Sequence, residues 1–234
     1  MGIVVVADGD DDDAALAAFL AGNPWLERRD GEPWEARLLV GTRLGEVGLD
    51  RIRQAPWCGA VEIGSGMVTP GQWFRRHLEA GGIGLGLRTD TAYSCGPTEH
   101  LLHALADRFG LAGAALDAAT LALHEAVANA LVHGNLDIAS FEEGNTEAFL
   151  AYCGTVDERL ADERFAGRMV FLSALPVDGA IEVAIEDQGR GYDDPADRRR
   201  QADEIRRHGL GLIRALAGAR VEDGGRRLIL TLGL

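Results

Sequence analysis

The chain has 234 residues, 47% of them hydrophobic, enough for one large core or two small ones, and 37 acidic against 23 basic residues give a formal charge of −14. That balance repels nucleic acid and anionic membrane surfaces, so neither is expected as a partner. Every basic residue is Arg; without Lys the chain cannot be a P-loop nucleotide binder, a eukaryotic-type protein kinase or a pyridoxal enzyme, each of which needs one. The first residues, MGIVVVADGDDDD, carry acids where a signal peptide carries positive charge. No apolar run approaches the roughly 20 residues a bilayer requires, and a cytoplasmic location is expected. Cys58, Cys95 and Cys153 are odd in number and far apart, which indicates neither a disulfide framework nor a zinc site.

In chain order, GIVVV at 2–6 reads as a strand, and Asp13 reads as the N-cap of a helix made by AALAAFLAG. Strands follow at 36–40, 59–63 and 83–87, with helices at 44–54 and 70–80 between them. This alternation predicts a small α/β domain with a parallel sheet over 1–90, and a second domain over 91–234. Residues 89–96, TDTAYSCG, read as a polar, turn-rich junction. A helix over 97–109 carries His100 and His103 and ends at Gly110; Asp117 is the expected cap of the next helix. In that helix Glu125, Asn129 and His133 recur every four residues on one face, while Leu121, Leu123, Val127, Ala130 and Leu131 supply apolar packing. Either the polar stripe faces a cleft or it is a solvated surface.

Residues 136–167 form a longer, acidic stretch with a helix at 145–161, which reads as a partner surface, a homodimer contact or a solvated spacer. Strands at 169–175 and 180–186 turn over 177–179 and run into Asp187, Gly189 and Gly191, a D-x-G-x-G sequence. A charged segment over 193–208 then leads to Gly209 and Gly211 at the start of an apolar helix, where free backbone N–H groups suit a phosphate. A last strand is expected at 227–231.

E-x-x-x-N on a helix, D-x-G-x-G after a strand and G-L-G-L before a helix together resemble the ATP-binding boxes of the GHKL superfamily, which includes gyrase and the histidine kinases. The wording HEAVANALVHGN and GRGYD is most similar to the anti-sigma-factor serine/threonine kinases. The resemblance implies an α+β two-layer sandwich of the GHKL (Bergerat) type with ATP and Mg²⁺ as cofactors, and it needs no Lys. It also implies roles: Asp187 accepting from the adenine amino group, Gly189 and Gly191 close to the ring, Asn129 as Mg²⁺ ligand, Glu125 as general base, and Gly209 and Gly211 on phosphate oxygens. The implied enzyme is a serine/threonine protein kinase acting on a small antagonist protein in a sigma-factor circuit. A nucleotide-dependent binding module without turnover and an atypical histidine-kinase-like sensor are the alternatives. His100 and His103 are followed by Leu101 and Ala104, where the histidine kinases have an acid after the phosphoacceptor. The acids Asp8 and Asp10 to Asp13 resemble the pocket of a response-regulator receiver, although the third strand ends without a phosphoacceptor Asp; a loop of solvated acids capping a helix explains them equally well.

Overall fold

A computed structural model describes residues 3–8, 13–26, 36–63, 69–139, 145–191 and 210–234. In the N-terminal half, four apolar segments form parallel strands: β1 (Ile3–Ala7), β2 (Ala36–Gly41), β3 (Trp57–Glu62) and β4 (Ile83–Arg88). Their near-continuous apolar sequence suits strands covered on both faces. One face is covered by α1 (Asp13–Gly22) and α3 (Gln72–Glu79), whose Leu16, Phe19, Phe74 and Leu78 pack on Val5, Leu38 and Val40. Against the other lie α2 (Glu46–Asp50) and the 3₁₀ turn that follows it (Arg51–Arg53), with Leu49 and Ile52 packed on Leu39 and Leu85. In α3, Phe74, His77 and Leu78 are buried while Arg75, Arg76 and Glu79 face outward, the spacing of an amphipathic helix. The sequence of β4 makes room for it: a Cβ on Gly84 would lie 2.5 Å from the Phe74 ring, and one on Gly86 would lie 2.7 Å from Phe171.

The second half contains α4 (Thr89–Cys95), α5 (Pro97–Phe109) and α6 (Gly113–Ala128), the last continued by a π-helical segment, Asn129–Asn135. After α7 (Thr146–Leu160) and α8 (Glu163–Ala166) come β5 (Met169–Val177) and β6 (Ala180–Glu186), then α9 (Leu210–Leu216), β7 (Gly218–Glu222) and β8 (Arg227–Gly233). Asp178 and Gly179 both have positive φ, as a two-residue Asp-Gly hairpin requires, and they set the β5–β6 register. Pro97 sits in the first turn of α5, and Gly110 closes that helix in the left-handed region.

The strands make one mixed eight-stranded sheet in the order β1-β2-β3-β4-β5-β6-β8-β7. Strand β4 is shared, parallel to β3 on one side and antiparallel to β5 on the other. One hydrophobic core joins Leu39, Leu49 and Leu85 to Leu101 and Leu105 of α5, Leu123 of α6 and Ile213 of α9. The sheet therefore continues across the position where the sequence suggests two domains. With β1 at the edge, the order also differs from the doubly wound sheet of a receiver, in which β1 lies inside. The receiver resemblance gains nothing from this topology.

Four local expectations change. Residues 89–95 are helical rather than a turn-rich junction: Asp90 Oδ1 accepts the Thr91 N–H (2.9 Å) and the Ser94 hydroxyl donates to the Asp90 carbonyl (2.8 Å), so the polar side chains close local bonds within a helix. Asp117 is not a cap, since α6 begins one turn earlier, after Ala112, in an Ala-rich stretch that needs no side-chain cap to form. Among the described residues one helix, Gly113–Asn135, is long and apolar enough by length and composition to cross a membrane, where no such run is expected. Its Ala119, Leu123 and Val127 pack in the core, whereas Leu121, expected among the packing residues, is exposed because it lies on the opposite side of the helix.

Candidate functional site

Glu125 and Asn129 sit one turn apart near the end of α6, both partly buried, and Asn129 Nδ2 donates to Glu125 Oε1 at 3.2 Å. That bond leaves the Asn129 side-chain oxygen unengaged among the described residues and pointed away from the carboxylate. The helix then widens. The Leu136 N–H donates to the Leu131 carbonyl, five residues back, at 2.8 Å, and a π turn of this kind rotates later residues away from a four-residue stripe. His133 accordingly leaves the stripe: it is exposed and its Nδ1 pairs with the Ile138 carbonyl at 2.6 Å, closing the helix end.

The widened turn brings Gly134 against Asp187, the first residue beyond β6. A Cβ on Gly134 would lie 2.6 Å from Asp187 Cγ, and a Cβ on Gly189 would lie 2.4 Å from the Gly134 carbonyl oxygen. The two glycine patterns, distant in sequence, are thus two sides of one contact that admits no side chain. Asp187 is fixed by its backbone N–H, which donates to Arg226 O (3.0 Å), and by the Gly189 N–H, which donates to its Oδ1 (2.8 Å). Burial pushes its carboxyl up to about 7, against the opposing pull of the Gly189 N–H and of Arg226 and Arg168. Gly191 has φ +67°, and a Cβ there would meet the Gly224 carbonyl oxygen at 2.5 Å, which ties this turn to the β7–β8 connection. Gly211 lies exposed in the first turn of α9; Gly209 and the charged segment 193–208 lie outside the described residues.

Five residues of this frame escape sequence reasoning: Asn135, Thr89, Arg168, Met169 and Gln188. The Asn135 side chain, fully buried, donates to the Thr89 hydroxyl (2.9 Å) and to Met169 O (3.0 Å) and accepts the Gln188 N–H (2.7 Å). The Met169 N–H donates to Gln188 Oε1 (2.8 Å), and Arg168 Nη1 donates to Asn135 O (2.6 Å). The signal available was Asn135 itself, a carboxamide at the apolar end of the α6 sequence.

The pieces therefore combine a helix bearing a paired carboxylate and carboxamide, a carboxylate with raised affinity for its proton at a strand end, and glycines pressing backbone against it. The family model of the histidine kinase-like ATPase domain matches residues 87–232. The chain belongs to this family. No curated protein matches it. In a histidine kinase-like ATPase, the match spans every described site residue, from the helix with Glu125 and Asn129 to the strand ending at Asp187 and the helix with Gly211. Family membership gives the protein an ATP-binding role, usually with Mg²⁺. The residues suit that ligand: a carboxylate can accept from an adenine amino group, glycine backbone permits close approach to a ring, and an amide oxygen suits a hard cation that keeps most of its waters. Among the described residues no group of three or more His, Cys, Asp or Glu forms a metal cage.

Proposed function

We propose that this histidine kinase-like ATPase is a serine/threonine protein kinase that binds ATP with Mg²⁺ and phosphorylates a small antagonist protein, acting on transcription through a sigma-factor circuit. The reading rests on the Gly134–Asp187–Gly189 contact, which fixes a carboxylate beside the end of the helix that also carries Asn129 and Glu125. Asp187 then accepts from the adenine amino group, Gly189 and Gly191 admit the ring, and Gly209 and Gly211 offer backbone N–H groups to phosphate oxygens. The free oxygen of Asn129 is the protein's ligand for the cation, whose charge offsets that of the phosphates. Glu125, which accepts from Asn129, takes the proton of the attacking Ser or Thr hydroxyl in this reading.

The substrate is taken to be external. His100 is tied to Asp50 at 2.8 Å and is mostly covered, so it is not presented for phosphorylation, and His103 lacks the acid that follows a phosphoacceptor. Incubation of the purified protein with labelled ATP, Mg²⁺ and candidate small antagonists tests the reading. Label on a Ser or Thr of the antagonist is expected; label on a His of this chain alone would overturn it.

A further inference from the structure

The clamp around Asn135 has more order than a helix end needs. A carboxamide has two N–H donors and an acceptor oxygen, and the Asn135 side chain engages both kinds of group in the absence of water: Thr89 Oγ1 at 2.9 Å, Met169 O at 3.0 Å and Gln188 N at 2.7 Å. The orientation is forced, because the flipped amide would set its oxygen against the Met169 carbonyl and its NH₂ against the Gln188 N–H. Its partners come from three elements. Thr89 starts α4 and is itself held to Arg168 O through its N–H and its hydroxyl, both at 2.8 Å; Met169 opens β5; Gln188 follows Asp187 directly. On the helix side Gly134, which precedes Asn135, is the residue pressed against the Asp187 carboxyl. One side chain thus locks the backbone on both sides of the Asp187 contact.

We propose that Asn135 is a positioning residue for adenine recognition, and that Thr89, directly after the strand shared with the N-terminal half, holds it in place. The inference rests on the reading of Asp187 as the adenine acceptor. Asn135 touches no part of the nucleotide: it acts through the Gln188 backbone, setting the direction in which the neighbouring carboxylate faces. An aspartate at this position would keep the acceptor for Gln188 but lose both donors, placing a carboxylate oxygen against Met169 O. A valine at 89 would keep the shape of Thr89 and remove only the hydroxyl.

A base with no 6-amino donor separates positioning from general destabilisation. ATP and GTP affinities are measured by calorimetry with Mg²⁺, well below the melting temperature, for the full chain and for Asn135→Asp, Thr89→Val and Asp187→Asn. Asn135→Asp is expected to weaken ATP by about tenfold or more, as lost buried hydrogen bonds would, with GTP little changed, so that discrimination between the two collapses. Thr89→Val should show the same pattern at smaller size. Unchanged ATP affinity in both variants, or equal weakening of ATP and GTP, would overturn the inference while leaving the adenine reading intact, provided Asp187→Asn still loses ATP. ATP affinity undiminished in Asp187→Asn would overturn that reading, and this inference with it.

Discussion

Two carboxylates stand at the ends of strands in the same sheet, Glu62 ending β3 in the parallel half and Asp187 following β6 in the antiparallel half, and burial raises the pKa of both. They differ in what satisfies them. Glu62 is fully buried, and its oxygens accept the N–H of Leu44 at 2.8 Å and of Arg88 at 2.9 Å, so the carboxylate ties the loop after β2 to the end of β4. Asp187 accepts only the Gly189 N–H among the described residues, on Oδ1, and is partly open. A buried acceptor with its bonds closed internally is structure; one left with acceptor capacity beside close-packed glycine backbone is suited to a ligand. The same burial thus serves cohesion at one strand end and, in the proposed reading, recognition at the other.

The largest effect should come from the far end of the α6 stripe, where chemistry rather than binding is assigned. Glu125→Gln keeps shape and the contact with Asn129 but loses basicity. ATP should still bind in calorimetry while phosphoryl transfer to an antagonist falls by ~10²-fold or more; equal rates would remove Glu125 as the base.

Glu62→Gln should do the reverse of a change at Asp187. Its new NH₂ faces one of two backbone donors, so stability in urea should drop by about 1–3 kcal/mol with nucleotide affinity unchanged. A loss of affinity without loss of stability would break the distinction drawn above.

The pH dependence separates the two sites more finely. In the unfolded chain Asp187 titrates near the ordinary carboxylate value, whereas in the fold it titrates at about 7. Between those values the folded protein binds more protons, so this group's contribution to stability is present at low pH and is lost as pH rises through 7. Urea melts from pH 5 to 8 should show a larger loss in wild type than in Asp187→Asn, which keeps only the loss due to Glu62. Nucleotide affinity should move oppositely, strengthening as the carboxyl ionises. The smallest expected effect is none at all: acetyl phosphate should leave residues 1–88 unmodified, since the acid ending β3 is the enclosed Glu62 and no Lys exists to assist. An aspartyl-phosphate mass shift there would contradict this.

Much of the site could be read from sequence because glycine and acidic residues mark where backbone must approach backbone. Gly189 stands out for that reason and Asp187 by its D-x-G-x-G sequence, Glu125 and Asn129 stand out by their four-residue helical spacing, and α5 and the Asp-Gly hairpin by the local signals Pro97, Gly110 and Gly179. What could not be read is set by long-range pairing. The Asn135 clamp joins residues 46 and 34 positions apart in sequence, and each partner alone is an ordinary Thr, Asn or backbone carbonyl. Strand β7 is short and mostly uncovered, so it lacks an apolar face, and its register comes from pairing with β8. The union of both halves in one sheet depends on β4 meeting β5, which begins 80 residues after β4 ends, and no local pattern announces that contact.

The central claim is that the Asp187 carboxylate reads the adenine amino group. Calorimetric titration of Mg²⁺ and ATP into the wild-type protein and Asp187→Asn at pH 8 tests it most directly, because the carboxyl is then ionised and the substitution exchanges an acceptor oxygen for a donor. The account predicts binding of one ATP by the wild type and a loss of about 100-fold or more in the variant, with the variant's fold at least as stable because a buried charge has been removed. Equal ATP affinity in the two proteins would contradict it.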